Sequence, residues 1–156
     1  MQHVDQRPAD QASRPISARF RQWECALQRH GYRLTAPRLA VLRTLDEAGM
    51  TALDVLQIRA RARSDCTSLG KATIYRTLER MEVLGLVRRV HDQHGCHRFV
   101  AAERESRPLL VCTTCGRVQS APPVVMAGLA GLLANVCGFQ VDADALQIAG
   151  ICQECR

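Results

Sequence analysis

Two Cys-x-x-Cys pairs in the last third of the chain constrain its fold more than any other feature. The first pair is Cys112 and Cys115, and the second is Cys152 and Cys155. Each pair follows a short strand-like segment, and four thiolates at this spacing can surround one ion tetrahedrally, as structural zinc requires. A glycine next to each pair permits the tight backbone of such a site. We therefore predict one structural Zn²⁺ per subunit, with no open position for a catalytic water.

Disulfides or a redox dithiol are the alternative interpretations of these cysteines. A redox Cys-x-x-Cys usually lies at the start of a helix, and neither pair does. The chain has eight cysteines and begins without the apolar core of an export signal, which favours the reducing cytoplasm and metal binding over disulfides. No apolar run approaches the roughly 18 residues that would span a membrane.

The positive charge is concentrated in the first part of the chain. Residues 1–100 carry 17 Lys+Arg against 10 Asp+Glu, whereas residues 101–156 carry 4 against 5. The basic residues are arginines apart from Lys71. Arginine makes bidentate contacts with phosphate and guanine, so a nucleic-acid surface in the first part is plausible, although scattered arginines are also typical of a solvated surface.

Residues 15–100 have the order of elements of a winged helix-turn-helix domain. Helical periodicity begins near Ile16, Thr35, Thr51 and Lys71. The third helix is expected to open with a capping box, Thr51-Ala-Leu-Asp54, and to continue through Leu53, Leu56 and Ala60. Two strand-like segments, 86–91 and 96–100, are joined by a turn-prone connection and would form the wing. The helix over 71–84 is then the predicted recognition helix.

The rest of the chain predicts a flexible tail, a hinge and a second domain, so the fold class is α+β. Residues 1–14 are polar and are expected to be the tail, and the charged residues 101–108 are expected to be the hinge. Residues 109–156 predict a small α/β dimerisation domain, with a helix over 122–136 and four short strands, at 109–111, 117–119, 139–141 and 146–148. We expect this helix to bury Val125, Leu129, Leu132 and Val136. A unit this small often needs a metal or a partner subunit.

Several segments together resemble the ferric uptake regulator family. The stretch Arg33-Leu-Thr-Ala-Pro-Arg-Leu-Ala-Val-Leu42 is similar to an opening motif of that family, and Ala72-Thr-Ile-Tyr-Arg-Thr-Leu78 is similar to its recognition-helix signature. The two Cys-x-x-Cys pairs match its ending. The resemblance covers about residues 20–156 and implies a homodimeric, metal-responsive repressor of palindromic double-stranded operator DNA.

The same resemblance implies roles for residues of the fourth helix. Tyr75 would contact bases, packing on a thymine methyl group, and Arg76 would contact a phosphate or a base edge. Further phosphate or groove contacts are expected from residues on or near that surface: Thr73, Lys71, Arg80 and Arg38. The alternative for Tyr75 is an aromatic side chain that covers the core from the flank of the helix.

The chain departs from the family where the sensory metal ligands are usually found. The run from Glu103 to Cys112 contains no histidine, and none lies near Met50, which argues against iron-type or peroxide-type sensing. Histidines and a cysteine cluster instead in the wing, as in the zinc uptake regulator branch, and a thiolate with imidazoles favours zinc. The predicted ligands of a second, regulatory Zn²⁺ are Cys96, His94, His97, His91 and Glu105, with Glu103 as a substitute for the last.

In a strand, Cys96 and His97 would point to opposite faces, so His94 with Cys96 is the expected same-face pair. A metal that bridges wing and hinge would hold the two DNA-binding units of a dimer at the spacing of successive half-sites. The alternative is a polar wing with incidental histidines. Cys25, Cys66 and Cys137 are expected to be buried or incidental thiols.

Three other functions are consistent with parts of this pattern. A regulator of the same family could sense redox state through Cys96 or Cys66, or haem through Cys96 and His97. A zinc-ribbon interaction module would bind no DNA. An enzyme is not expected, because the sequence has no open metal site, no paired nucleophile and base, and no Gly-rich phosphate loop.

Overall fold

The computed structural model describes residues 16–91, 97–102, 108–142 and 146–156. Five helices and five strands lie in these ranges. In chain order they are α1 (Ala18–Arg29), α2 (Ala36–Ala48), α3 (Val55–Arg61), α4 (Lys71–Val83), β1 (Val87–His91), β2 (His97–Ala101), β3 (Leu109–Cys112), β4 (Val118–Ser120), α5 (Pro123–Cys137) and β5 (Gln147–Gly150). Short 3-10 turns follow α3, at Ala62–Ser64, and β5, at Gln153–Cys155. The α+β class and the winged helix-turn-helix order are confirmed.

The four N-terminal helices share one hydrophobic core. Phe20, Trp23 and Leu27 recur at helical spacing along α1 and are almost fully buried, as their periodicity predicts. Ile16 precedes the helix and is exposed, since Ser17 is the N-cap and its hydroxyl accepts a hydrogen bond from the Phe20 N–H. The same hydroxyl donates to Asp46 at the end of α2, 2.7 Å away, and so ties the two helices together.

The start of α3 differs from the sequence prediction. The capping box is formed by Asp54 and Gln57, three residues later than expected. Thr51 instead pairs with Arg117 in an isolated β-bridge. The shift changes which face of the helix is buried, so Ile58 lies in the core whereas Leu56 is 61% exposed. The short helix cannot satisfy two caps, and the Asp54 carboxylate, a stronger acceptor than a threonine hydroxyl, fixes the register.

Helix α4 leads directly into the hairpin of the wing. Its inner face buries Ile74, Leu78 and Met81, and it ends before Gly85, which has a φ of 65°. Strands β1 and β2 are antiparallel, with His91 directly opposite His97. A positive φ suits glycine at the point where the chain reverses from helix to strand.

The C-terminal part of the chain forms a three-stranded sheet in the order β4-β3-β5. Strand β3 is antiparallel to β4 and parallel to β5, with Cys112 opposite Gly150 in the parallel pair. One face of the sheet packs on the wing in a second core that combines residues from both parts of the chain: Ala52, Val90, Val100, Leu109, Val111 and Val118.

The connector between α2 and α3 joins the wing to the C-terminal sheet. Leu53 exchanges backbone hydrogen bonds with Phe99 of β2, at 2.8 and 2.9 Å. On the other side of the connector, the Ala52 N–H donates to the Gly116 carbonyl at 2.9 Å, and the Val118 N–H donates to the Met50 carbonyl at 2.7 Å. The connector therefore lies between two sheets and bonds to both.

Helix α5 is much less buried than its sequence pattern predicts. Leu132 and Val136 are 64% and 78% exposed, and Val125 is also exposed. Leu129 is half-buried, and Met126 is the buried residue of the helix. The prediction of an inward-facing stripe is therefore wrong for this chain alone, because the apolar side chains find no cover on its own sheet. Residues 139–141, predicted as a strand, form none.

Candidate metal centre and nucleic-acid interface

Parallel pairing of β3 and β5 brings the two Cys-x-x-Cys pairs together. Cys112 is the last residue of β3, and Cys152 lies just beyond the end of β5. The Thr113 N–H donates to the Gly150 carbonyl at 2.8 Å and holds the two strand ends in register. Cys115 lies in the turn after β3, and Cys155 ends the last 3-10 turn.

The four sulfur atoms form a cluster of the size that a tetrahedral metal ion needs. All four Sγ atoms lie within 4.8 Å of one another, and those of Cys115 and Cys152 are 3.8 Å apart. Ligands about 2.3 Å from a tetrahedral zinc ion are separated by about 3.8 Å. The cysteines of the described ranges are free thiols, so the cluster can serve as a four-sulfur ligand set.

Backbone and side-chain hydrogen bonds give the thiols unequal acidity. Backbone N–H groups, first that of Cys115 and then that of Cys152, lower the pKa of Cys112 to about 6 because they stabilise its thiolate. Cys155 has its pKa raised to about 12, because its thiol shares hydrogen bonds first with Cys152 and then with Cys115. A bound divalent cation would take the place of these shared protons.

An ion pair next to the cluster ties β4 to the end of the chain. The Arg117 guanidinium donates to both carboxylate oxygens of Glu154, at 2.5 and 2.6 Å. This contact lowers the pKa of Glu154 and raises that of Arg117. Our sequence interpretation missed both residues, although opposite charges beside and within the two cysteine pairs were a usable signal. Because the pair is exposed, its effect on stability is small.

Gly116 allows the first cysteine turn to approach the winged-helix part closely. Its φ is 74°, and an added Cβ would lie 3.0 Å from Arg98 Nη1 and 3.3 Å from the Ala52 carbonyl oxygen. Glycine is therefore favoured both by the backbone conformation and by the close approach of these two neighbours. The preference comes from contact with β2 and the α2–α3 connector.

The outer face of α4 exposes most of the residues that were predicted to contact DNA. Tyr75 is 48% exposed, and Arg76 and Lys71 are exposed. Thr73 is half-buried, and its carbonyl accepts a hydrogen bond from the Thr77 hydroxyl at 2.7 Å. The exposure of Tyr75 favours an outward role over the alternative of covering the core.

The two remaining predicted contact residues are engaged within the protein. The Arg80 guanidinium lies over the ring of Tyr32, 5.3 Å from its centroid. Arg38, at the start of α2, donates to the Arg33 carbonyl at 2.5 Å. Phosphate contact through either side chain would compete with these contacts, so Lys71, Tyr75 and Arg76 are the better placed residues.

The predicted regulatory metal ligands lie only partly in the described ranges. His91 and His97 are opposite each other at the end of the hairpin, with ring centroids 5.0 Å apart in an edge-to-face arrangement. The backbone of His91 is held by the Gln147 side chain, which accepts from its N–H at 3.1 Å and donates to its carbonyl at 2.6 Å. Cys96, His94 and Glu105, together with Glu103, fall outside the described residues.

The remaining cysteines show no second cluster within the described ranges. Cys25 and Cys137 are exposed, and Cys66 is half-buried against the helical core. Among the described residues, the four-cysteine group is the one cluster of three or more potential ligands that could hold a metal ion. None of the helices in these ranges has the length and apolar character to cross a bilayer.

Comparison with known proteins identifies the family. The model of the ferric uptake regulator family matches residues 29–148. The chain belongs to the ferric uptake regulator family. It is accordingly a metal-responsive, DNA-binding transcriptional regulator and not an enzyme. The ferric uptake regulation protein of Legionella pneumophila is 30% identical over 126 residues, which cover 81% of this chain and 93% of that protein.

Solved structures of the family share the fold. The ferric uptake regulator of Helicobacter pylori superposes with a TM-score of 0.66 at 17% identity, over 91% of this chain and 94% of that one. A zinc uptake regulator in complex with zinc and DNA gives a TM-score of 0.60 at 22% identity, over 87% and 91% of the two chains. Regulators named for iron, manganese and zinc are all among the similar structures, so the fold does not distinguish the metal that is sensed.

Proposed function

We propose that the protein is a zinc-responsive, homodimeric, cytoplasmic repressor that binds palindromic operator DNA through α4. The observation that carries the proposal is the outer face of α4, where Lys71, Tyr75 and Arg76 are exposed on a helix whose opposite face is fully buried. A helix presented in this way by a winged helix-turn-helix fits the major groove. Tyr75 would contact a thymine methyl group and Arg76 a phosphate or base edge, with Lys71 and Thr73 near the backbone.

A structural Zn²⁺ on the four-cysteine cluster is the second part of the proposal. The Sγ atoms of Cys112, Cys115, Cys152 and Cys155 have the spacing and the soft donor type that zinc prefers. With four sulfur ligands the ion would have no position for water, so it would hold the two cysteine turns together and do no chemistry. Thiols in this number favour a reducing compartment.

The third part is a homodimer built on α5. The helix has no charged residue in its 15 positions, and an apolar stripe along it is exposed: Val124, Val125, Leu132 and Val136. An apolar surface of this kind is typical of a helix that a partner covers. A second copy is the simplest partner, since most oligomers are symmetric dimers and a palindromic site needs two recognition helices.

The fourth part is a regulatory zinc site at the tip of the wing. His91 and His97 are held opposite each other by the hairpin register, with their rings edge to face, so two imidazoles can converge there. Cys96, His94 and Glu105 remain the proposed additional ligands. Alternation along the strand suggested His94 and Cys96 as the two ligands on one face. His91 lies opposite His97 across the hairpin, which favours these two imidazoles as a pair of ligands instead. A metal next to Gln147 of β5 would couple the wing to the C-terminal sheet.

The proposed division of the chain follows from these parts. Residues 15–100 would read DNA, residues 101–108 would be the hinge, and residues 109–156 would form the dimer, with residues 1–14 as a tail. Residues 15–100 and 109–156 pack together in the second core, so a metal bound beside that contact would regulate DNA binding by changing how these two units are placed.

Operator binding titrated against free metal tests the proposal. We expect duplex binding that saturates with zinc at concentrations where iron and manganese have little effect. Cys96→Ser should lower the zinc content from two ions per subunit to one and abolish the zinc dependence. One zinc in both proteins, with unchanged binding, would exclude the wing site. Zinc-independent binding that responds to oxidant or haem would favour the alternative sensors.

A further inference from the structure

An acidic side chain lies within the outer face of α4. Positions 72, 75, 76, 79 and 83 are all exposed, and their spacing of three and four residues places them along one stripe of the helix. Glu79 is therefore on the same face as Tyr75 and Arg76, one turn further along. A helix that presents those two side chains to a groove presents Glu79 as well.

Glu79 has no partner among the residues that the structure describes. No hydrogen bond or ion pair involves it, although Arg76 lies one turn before it and Arg80 is its neighbour. The Arg80 guanidinium is instead over Tyr32. By contrast, Glu82 on the same helix forms an ion pair with Arg89 of β1 at 2.6 Å. The carboxylate of Glu79 is thus free to meet a ligand.

An unpaired carboxylate on a DNA-facing helix is repelled by the phosphates. It favours binding only where it accepts a hydrogen bond from a base. The major groove offers two amino donors, cytosine N4 and adenine N6. In adenine the N7 acceptor lies beside the N6 donor and repels a carboxylate, which is an acceptor only. Cytosine is therefore the base that a glutamate at this position can best recognise.

From this geometry we infer that Glu79 selects a cytosine in each half-site of the operator. The four steps along the chain from Tyr75 to Glu79 advance about 6 Å along the helix. Stacked bases are about 3.4 Å apart, so the selected cytosine lies about two base pairs from the base that Tyr75 contacts. The inference rests on the proposed function, since it assigns base specificity to the same helix.

The test selects duplexes from a random pool with the zinc-loaded full chain and then measures Kd for single-base variants. With the wild-type protein, replacing the selected cytosine should weaken binding roughly 5- to 100-fold. Glu79→Ala should bind the selected duplex more weakly than the wild type does and should bind all four bases at that position equally. Glu79→Gln should shift the preference toward adenine, which accepts a bidentate amide.

The matched control is Glu82→Gln, which removes the same charge from the same helix but from a side chain paired within the protein. It should leave the base preference unchanged. Tighter binding of Glu79→Ala to every duplex by a common factor would overturn the inference, because the carboxylate would then only repel phosphate. The wild-type chain could also enrich specific sequences that show no cytosine preference dependent on Glu79. That result would overturn the inference while leaving the proposed function intact. Failure to enrich any sequence would overturn both.

Discussion

At the scale of single residues, Gly116 shows how the absence of a side chain lets two parts of the chain pack closely. Its backbone lies in the left-handed region, and its Cα faces both Arg98 and the Ala52 carbonyl oxygen. A cysteine turn can adopt this conformation elsewhere with asparagine in place of glycine. Here an added Cβ would press on the Ala52 carbonyl and the Arg98 guanidinium, so the residue serves the contact as well as the turn.

Gly116→Ala should therefore destabilise the protein by more than backbone strain alone. Strain at a positive φ costs about 1 kcal/mol, and the close contacts add to it. The matched control is Gly138→Ala, because Gly138 has a φ of 64° and nothing within 4 Å of its added Cβ. Urea unfolding of both metal-loaded variants measures the difference, and equal losses would contradict a packing role for Gly116.

Tyr75 permits a second prediction at this scale. About half of its side chain is exposed and little packing is lost with it, so Tyr75→Ala should weaken binding to a selected duplex roughly 5- to 50-fold with little change in the thermal midpoint. Leu56→Ala is the control, as Leu56 is 61% exposed but lies on α3. Filter binding or fluorescence anisotropy provides the affinities. A loss of folding in Tyr75→Ala would instead support the core-covering interpretation.

At the scale of elements, helices were predicted well where their own chain covers them. The spacing of Phe20, Trp23 and Leu27 indicated the buried face of α1 correctly. The same reasoning failed for α5, since periodicity identifies an apolar stripe but not the molecule that covers it. It also misplaced the start of α3, because Thr51 and Asp54 both suit an N-cap and a bridge to Arg117 occupies Thr51.

The exposed stripe of α5 gives a prediction for this element. Leu132→Glu should raise the dimer Kd roughly 100-fold or more, because each symmetric interface receives two buried charges. Leu56→Glu is the control, since Leu56 is similarly exposed, at 61%, but lies on α3. Sedimentation velocity over a range of concentrations measures the shift. A dimer that survives Leu132→Glu would place the interface elsewhere.

At the scale of the whole molecule, the four-cysteine cluster lies where the winged-helix and C-terminal parts meet. The spacing of the cysteines predicted that the four thiols come together, since local sequence determines both turns. It did not predict that the α2–α3 connector would bond to the Gly116 carbonyl, or that His91 would face His97, because such contacts join segments distant in sequence. The four-cysteine cluster is thus connected by backbone hydrogen bonds to the winged-helix part.

Removal of the metal should accordingly loosen the C-terminal sheet before the helical core. After chelation we expect amide hydrogens of β3 and β5 to exchange at least about 10-fold faster. Without the metal, the four thiols no longer hold the two strand ends together. Amides of α1 and α4 should keep most of their protection. Hydrogen exchange read by mass spectrometry resolves these segments. Uniform loss of protection would show instead that the chain unfolds as one unit.

The contacts along the hairpin of the wing have a consequence for solubility. A two-stranded ribbon has two outer edges, and each exposes backbone groups that can template the addition of a foreign strand. In this protein, Leu53 occupies the edge of β2 at Phe99, and the Gln147 amide occupies the edge of β1 at His91. Each edge is therefore occupied at one position by the protein's own chain, which leaves less of the ribbon open to the addition of a foreign strand.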